Sequence, residues 1–135
     1  MTIENNMFKY YNPNPKGRRK VGDCTIRAVS KALDQTWEKT YVGLVLQGFV
    51  QGDLPNADTV WSNYLFNHGF RRCLISDNGL GAYTVSDFAS DNPHGTFLLS
   101  MPGQHVVCVE NGDWFDTWDS GDETPLYFWH RKDVD

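Results

Sequence analysis

The stretch of sequence that decides the fold is Gly22–Ala28, which reads GDCTIRA. Apolar residues recur at helical spacing from Ile26 to about Leu33, so the stretch turns a loop into an amphipathic helix at Cys24. A thiol at a helix N-terminus lies at the positive end of the helix dipole, which favours the thiolate over the thiol. The sequence therefore predicts a first helix that begins at a reactive cysteine.

Two more helices are expected before residue 70. The second covers about Trp37–Val50, with Thr36 as its N-cap, and the third covers about Asp58–His68, where Gly69 stops it. Residues 1–22 instead contain the run Asn-Pro-Asn-Pro, which favours extended and turn conformations. We therefore expect an irregular N-terminal arm followed by three helices.

After residue 70 the pattern changes to that of strands. Phe70–Ser76 is a candidate strand, and a capping box at Thr84–Asp87 begins a short helix that ends before Pro93. Four further runs are rich in β-branched and aromatic residues: Gly95–Met101, His105–Glu110, Trp114–Trp118 and Leu126–His130. Helices first and strands second predict a single α+β domain over residues 1–135, with N-terminal helices packed on a C-terminal antiparallel sheet.

The dipeptide Asn111-Gly112 is a strong hairpin signal and sets the register of the strands on either side. With a two-residue turn, Val107 faces Asp116 and His105 faces Trp118, so these four side chains share one face of the sheet. Asp116 is then diagonal to His105 and within its reach. The turn therefore predicts a histidine–carboxylate pair.

The residues brought together in this way fit nucleophilic catalysis. Cys24 supplies the nucleophile, His105 the base, and Asp116 the carboxylate that holds the imidazole in one tautomer. Asp119 is the alternative carboxylate, which requires the strand ladder to end before Trp118. Trp118 is expected to shield the pair from water and so strengthen its hydrogen bond.

The order of these residues resembles that of the papain-like cysteine peptidase superfamily, clan CA. Gly22-Asp23-Cys24 looks like the context of the nucleophile, and His105-Val106-Val107 looks like the histidine strand. Asp116-Thr117-Trp118 is similar to papain's Asn-Ser-Trp, with aspartate in place of asparagine. The chain also looks like the peptidase domains of bacteriocin-processing transporters and like small uncharacterised phage and bacterial proteins.

This resemblance implies a papain-like fold with a Cys-His-Asp catalytic triad. It also implies a cysteine-dependent hydrolase or acyl-transfer enzyme, of the thiol protease, isopeptidase or deamidase type, which acts on a peptide or amide bond. The partner implied is a protein or peptide substrate, which is a host protein if the chain is phage-encoded.

The sequence departs from the papain pattern ahead of the nucleophile. Papain-like enzymes usually carry an oxyanion-hole glutamine at the position where Arg18 stands here. The Cys24 backbone N–H is one expected donor, and Arg18, Asn14 or Asn12 is expected to supply another. The departure favours an alternative, in which a catalytically weak or inactive papain-like fold acts as a binding or inhibitor protein, phage-encoded and directed against a host protein.

Composition narrows the class of partner and the location. A net charge of −5 gives no electrostatic reason to bind nucleic acid, and the basic run Lys16–Lys20 is interpreted as a solvated loop, with phosphate or RNA contact as the alternative. No signal-peptide pattern and no apolar run of bilayer length is present in the sequence. We expect no membrane association and a cytoplasmic location, in the bacterial host cell if the chain is phage-encoded.

The three cysteines point away from disulfides and metals. They cannot all pair, and the sequence contains no CxxC motif. Cys108 is expected on the opposite sheet face from His105, as a small core residue. A zinc site built from Cys24, Cys73, Cys108 and a histidine lacks paired ligand spacing, so neither a metal nor another cofactor is expected.

Overall fold

The structure is a computed structural model that describes residues 6–75 and 83–131. Within these ranges the chain has mixed α+β architecture, as the sequence predicts. The helices are α1 Cys24–Leu33, α2 Trp37–Gln51, α3 Asp58–Asn67 and α4 Val85–Asp91. The strands are β1 Phe8–Tyr10, β2 Phe70–Leu74, β3 Thr96–Met101, β4 His105–Glu110, β5 Asp113–Asp116 and β6 Tyr127–Arg131.

The helices cover both faces of one sheet. On one face the buried side chains of α1, α2 and α3 meet those of the strands in a core cluster: Ala28, Val29, Ala32, Leu44, Trp61, Leu65, Phe70, Leu98, Val106, Cys108 and Trp129. On the other face α4 covers a second cluster: Val85, Phe88, Ala89, Phe97, Leu99, Met101, Val107, Val109 and Trp114. Successive residues of β3 and β4 alternate between these clusters, because side chains along a strand alternate between faces.

The sheet differs from the predicted antiparallel sheet at one edge. Its strand order is β1-β5-β4-β3-β6-β2, and β1 runs parallel to β5 while the other pairs are antiparallel. The sheet is therefore mixed, and the arm predicted to be irregular contains a strand. Side chains of the neighbouring strand hold the arm there, since Asp113 accepts a hydrogen bond from the Met7 backbone N–H at 3.1 Å and pairs with Lys9 at 3.0 Å.

The hairpin between β4 and β5 has the predicted register. Glu110 pairs with Asp113 and Cys108 with Phe115 across a two-residue turn at Asn111-Gly112. The predicted strand Trp114–Trp118 runs from Asp113 to Asp116 in the structure, and the Asp116 carboxylate accepts a hydrogen bond from the Thr117 backbone N–H at 2.8 Å at its end. The β4–β5 pairing ends at Cys108 and Phe115, and Asp116, the last residue of β5, pairs with Tyr10 of β1.

The remaining predicted boundaries agree closely with the structure. Helices α1 to α4 begin at the expected residues, and α2 ends against Gly52, whose φ of 77° lies in the left-handed region. The predicted strand Phe70–Ser76 ends at Leu74, and Ser76 lies outside the described residues. Among the described residues, no helix is long and apolar enough to cross a membrane.

Candidate active site

Cys24 is the first residue of α1, and the turn that presents it has an unusual cap. Asp23 occupies the N-cap position but makes no side-chain cap hydrogen bond. Its carboxylate instead accepts hydrogen bonds from the Arg27 guanidinium and, at 2.9 Å, from the Trp37 indole N–H. The first-turn N–H groups of α1 therefore keep their positive field beside Cys24 without a capping carboxylate.

His105 and Asp116 meet at the end of the hairpin. The His105 Nε2 atom lies 2.7 Å from the Asp116 Oδ2 atom. Asp116 is only 2% exposed and also accepts hydrogen bonds from the Ser120 hydroxyl at 2.8 Å and from Arg27 at 3.2 Å. A carboxylate held by donors can only accept from the imidazole, so we assign the proton to Nε2, and the Nδ1 atom is the nitrogen left for Cys24.

Cys24 is coupled to His105 across the cleft. As a thiol, Cys24 donates a weak hydrogen bond to the Gln104 carbonyl oxygen at 3.4 Å. Burial raises the pKa of Cys24, but hydrogen bonds from His105 and from the Val106 backbone, with the charges of His105 and Arg27, lower that pKa below its ordinary value. The local field therefore favours the thiolate.

The pKa values of His105 and Asp116 shift in the directions that favour their charged forms. Burial lowers the pKa of His105, but hydrogen bonds and charges of Asp116 and Cys24 outweigh it and raise that pKa to about 9. Burial raises the pKa of Asp116. The hydrogen bond and the charge of His105, together with hydrogen bonds from Ser120 and the Thr117 backbone, outweigh burial and lower that pKa. At neutral pH these shifts favour a thiolate–imidazolium pair beside an ionised carboxylate.

The structure brings Asp116, and not Asp119, to His105. The Asp119 carboxylate accepts hydrogen bonds from the Trp114 indole at 2.8 Å and from the Gly121 backbone N–H at 2.9 Å. It therefore holds the turn after β5. The two-residue hairpin turn explains the outcome, because it sets Asp116 on the face that His105 shares.

Trp118 reaches His105 although it is not in the ladder. The two ring centroids are 4.8 Å apart, and Trp118 is 46% exposed. The predicted pairing of His105 with Trp118 as ladder partners is absent, because β5 ends at Asp116. The indole nevertheless lies against the imidazole, and both rings line the cleft, so shielding of His105 by Trp118 stays a prediction.

An open cleft of about 380 Å³ gives access to the thiol. Cys24, His105 and Trp118 line it, together with Arg19, Asn56, Asp58 and Gln104. This volume lies within the range of clefts that bind ligands.

The side chains predicted as oxyanion donors do not line this cleft. Asn14 and Arg18 line a neighbouring groove, and Asn12 lines neither space. The arm folds on itself, since the Asn12 amide donates to the Arg18 carbonyl oxygen at 3.1 Å and Asn14 accepts from the Lys16 backbone at 2.9 Å. Other side chains that line the cleft do carry N–H donors, among them Arg19, Asn56, Gln104 and Trp118.

Sequence reasoning also missed Arg27. This side chain is nearly buried and joins Asp23 to Asp116, so it links the segment before Cys24 with the hairpin. Its charge lowers the pKa of Cys24 as well. The signal available in the sequence was the spacing of Asp23 and Arg27, because Asp23 directly precedes the predicted helix and Arg27 follows it by four residues, one turn along. Gln104 was missed as well, and its only signal in the sequence is that it directly precedes His105.

The other cysteines lie away from the site. Cys73 is exposed on β2 and Cys108 is buried in the core, where burial and the charge of Glu110 raise its pKa. Within residues 6–75 and 83–131, no group of three His, Cys, Asp or Glu side chains could hold a metal ion.

Comparisons with known proteins found no relative of this chain. No family model matches the sequence, and neither the curated proteins nor the solved structures contain a match to the chain.

Proposed function

We propose that the protein is a papain-like, thiol-dependent hydrolase or acyl-transfer enzyme that acts on peptide, isopeptide or amide bonds. The observation that carries the proposal is the connected series of Cys24 at a helix N-terminus, His105, and Asp116 at 2.7 Å from the imidazole, beside an open cleft. A nucleophile, a base and an orienting carboxylate in this series define thiol acyl transfer.

The proposed reaction uses the pair in two steps. The Cys24 thiolate attacks the carbonyl carbon, and the imidazolium of His105 gives its proton to the leaving amine as the C–N bond breaks. This leaves a thioester on Cys24. Water, or an acceptor amine, then attacks the thioester carbon while His105 takes its proton. The C–S bond breaks, a carboxylic acid or a new amide is released, and Cys24 is left as the thiolate beside the imidazolium of His105. Asp116 keeps the Nε2–H tautomer and stabilises the imidazolium throughout.

Backbone and side-chain donors would stabilise the oxyanion of these steps. The Cys24 backbone N–H lies at the uncapped start of α1, and the Gln104 amide lines the cleft. Removal of one such donor costs about 10²–10³-fold in rate in enzymes of this kind. The proposed substrate is a protein or peptide, and the proposed location is the cytoplasm, where free thiols such as these three cysteines stay reduced.

Selective alkylation tests the proposal. The protein is treated with iodoacetamide at neutral pH, and each cysteine is quantified by peptide mass spectrometry. We expect Cys24 to react faster than Cys73, although Cys73 is exposed, because thiolate character sets the rate. The His105→Ala variant should lose the difference, and equal labelling of the two cysteines in the unchanged protein would contradict the proposal.

A binding or inhibitor protein is the second candidate. The observation in its favour is that the arm, which carries the oxyanion residue in papain-like enzymes, contributes none of its predicted donors to the cleft. The two candidates differ in the Cys24→Ala variant. An enzyme loses its biological effect with unchanged folding, whereas a binding protein keeps it.

A further inference from the structure

The basic run Lys16–Lys20 has no role in the chemistry described above. It holds four of the twelve basic residues of a chain whose net charge is −5. All four side chains are exposed, and within the described part of the chain no ion pair joins them to a carboxylate. The run is therefore a local positive patch on an acidic protein, with charge left to offer to a ligand.

The run lies next to the proposed active site. Arg19 lines the cleft that holds Cys24, while Lys16 and Arg18 line a second groove of about 490 Å³. The groove and the cleft share Val21, Gly22 and Asn56 as wall residues. A chain bound in the groove would thus continue into the cleft.

The groove itself is apolar. Its wall includes Trp37 and Tyr41, whose rings stack with centroids 5.0 Å apart, together with Pro15, Ile26 and Pro55. The hydrogen bond from the Trp37 indole to Asp23 fixes this aromatic wall to the segment before the nucleophile. Such a wall suits one apolar side chain of a ligand.

The charged side chains around the groove determine which ligand residues can lie next to that apolar side chain. Of the carboxylates that line the two spaces, Asp23 is paired with Arg27, and Asp58 accepts a hydrogen bond from the Trp61 indole. In the groove itself Asp23 is the carboxylate of the wall, and its pairing with Arg27 leaves Lys16 and Arg18 as the cations without a carboxylate partner there, while Arg19 adds a third cation in the adjoining cleft. A nucleic acid would meet the same cations, but the rest of the acidic surface repels a long polyanion.

We propose that the groove and the basic run bind the substrate through an apolar side chain flanked by carboxylates, which makes acidic peptide segments the substrate class. This specificity rests on the proposed function of Cys24. The cations steer and hold the acidic residues, and the aromatic wall holds the apolar one, so the adjoining amide is presented to the cleft.

The experiment measures binding separately from turnover. The Cys24→Ala protein is titrated into three fluorescein-labelled pentapeptides at low salt, and the dissociation constants are read by anisotropy. The peptides place leucine between glutamates, leucine between lysines, or serine between glutamates. We expect the leucine–glutamate peptide to bind about tenfold more tightly than either other peptide, with the preference over the lysine peptide falling as salt is added.

Variants assign each preference to its residues. Adding Lys16→Glu and Arg18→Glu should remove the preference for glutamate over lysine, and Tyr41→Ser should weaken the preference for leucine over serine. Lys39→Glu, on the exposed part of α2 outside both spaces, is the matched control and should change neither.

Two results would overturn the proposal. The first is equal affinity for the three peptides, or preferences that the groove variants leave unchanged. The second is tighter binding of a single-stranded oligonucleotide than of the leucine–glutamate peptide. Cys24 alkylation in the unchanged protein tests the proposed chemistry independently. If the peptide preference is found but Cys24 is not reactive, the proposed function is contradicted and the proposed peptide binding is not.

Discussion

Asp116 is the residue through which the strands, the helix and the imidazole are connected. It is buried, and four donors reach it: His105, Arg27, Ser120 and the Thr117 backbone. A carboxylate with this many donors stays ionised and fixed in orientation. Its charge is the one that most directly keeps the proton on His105.

We expect Asp116→Asn to slow Cys24 alkylation at neutral pH more than Asp119→Asn does. The amide removes the charge that raises the pKa of His105, so less thiolate is paired with imidazolium. Asp119→Asn alters the bonds to Trp114 and Gly121, which hold a turn, and should mainly lower the unfolding midpoint in urea. The reverse ranking of alkylation rates would contradict the assigned role of Asp116.

The activity should depend on pH through both members of the ion pair. Alkylation of Cys24 should rise with pH at values below those at which an unperturbed thiol ionises, because the pKa of Cys24 is lowered. Turnover of an amide should then fall as pH passes about 9, the pKa of His105, because the leaving amine loses its proton donor. A rate that follows a single ionisation with no alkaline decline would argue against His105 as the acid.

The same shifts act on stability with opposite signs. His105 has a pKa of about 9 in the fold against 6.5 in the unfolded chain, so its stabilisation is complete below pH 6.5 and lost as pH rises through 9. The lowered pKa of Cys24 gives stabilisation that is lost as pH falls. The two offset each other in the unchanged protein. In Cys24→Ala this offset is gone, and Asp116 still raises the pKa of His105, though less than when Cys24 contributes. The free energy of unfolding from urea titrations should therefore decline more steeply than in the unchanged protein as pH rises above 6.5, and an unchanged slope would contradict the coupling.

At the scale of elements, Arg27 joins α1 to β5 and to the segment before the helix. Its side chain lies between Asp23 and Asp116, all three nearly excluded from solvent. A buried ion pair adds little net stability over an apolar replacement of all its members, but loss of one member leaves the others uncompensated. Arg27 is therefore a positioning residue for the proposed site.

We expect Arg27→Met to destabilise the protein by about 3–5 kcal/mol, because it leaves two buried carboxylates beside each other. Arg27→Lys keeps the charge but loses the forked guanidinium that reaches both carboxylates. Its free energy of unfolding should therefore lie between those of the unchanged protein and Arg27→Met. Urea unfolding measures the stability, and Cys24 alkylation measures the site. A merely structural role would leave the pH profile of alkylation unchanged in Arg27→Lys, whereas the proposed role shifts it to higher pH.

The hairpin turn is the second element on which the site depends. Asn111 and Gly112 both have positive φ, 51° and 83°, as a two-residue turn of this kind requires. A Cβ atom on Gly112 would lie 2.6 Å from the Asn6 side-chain oxygen. The turn thus sets the His105–Asp116 register and touches the arm at the same time.

Gly112→Ala should cost more stability than Gly52→Ala. Both residues have similar positive φ, and each replacement carries a penalty of about 1 kcal/mol for that conformation, but nothing lies within 4 Å of a Cβ on Gly52. The difference in the free energy of unfolding, measured in urea, isolates the contact between the turn and the arm. Equal costs would mean that Asn6 moves away freely.

At the scale of the whole molecule, local patterns account for most of the fold. The helical spacing after Cys24 predicts that a helix begins there, and the turn at Asn111-Gly112 predicts that His105 and Asp116 meet. Both patterns can be read locally, because each depends on neighbours in the sequence. The pairing of β1 was not predictable in this way, since the short run Phe8–Tyr10 gains strand structure only from β5. The role of Arg27 was not predictable for the same reason, because one of the two carboxylates that it pairs with, Asp116, lies on a distant element.

The parallel pairing of β1 with β5 has a consequence for synthesis. The hydrogen bond between the Met7 backbone and Asp113 joins residues 106 positions apart. Translation proceeds from the N-terminus, so the arm and Cys24 leave the ribosome while His105 and Asp116 are still untranslated. The nascent chain therefore carries Cys24 without the His105 and Asp116 side chains, and the proposed thiolate–imidazolium pair can form only after residue 116 has left the exit tunnel.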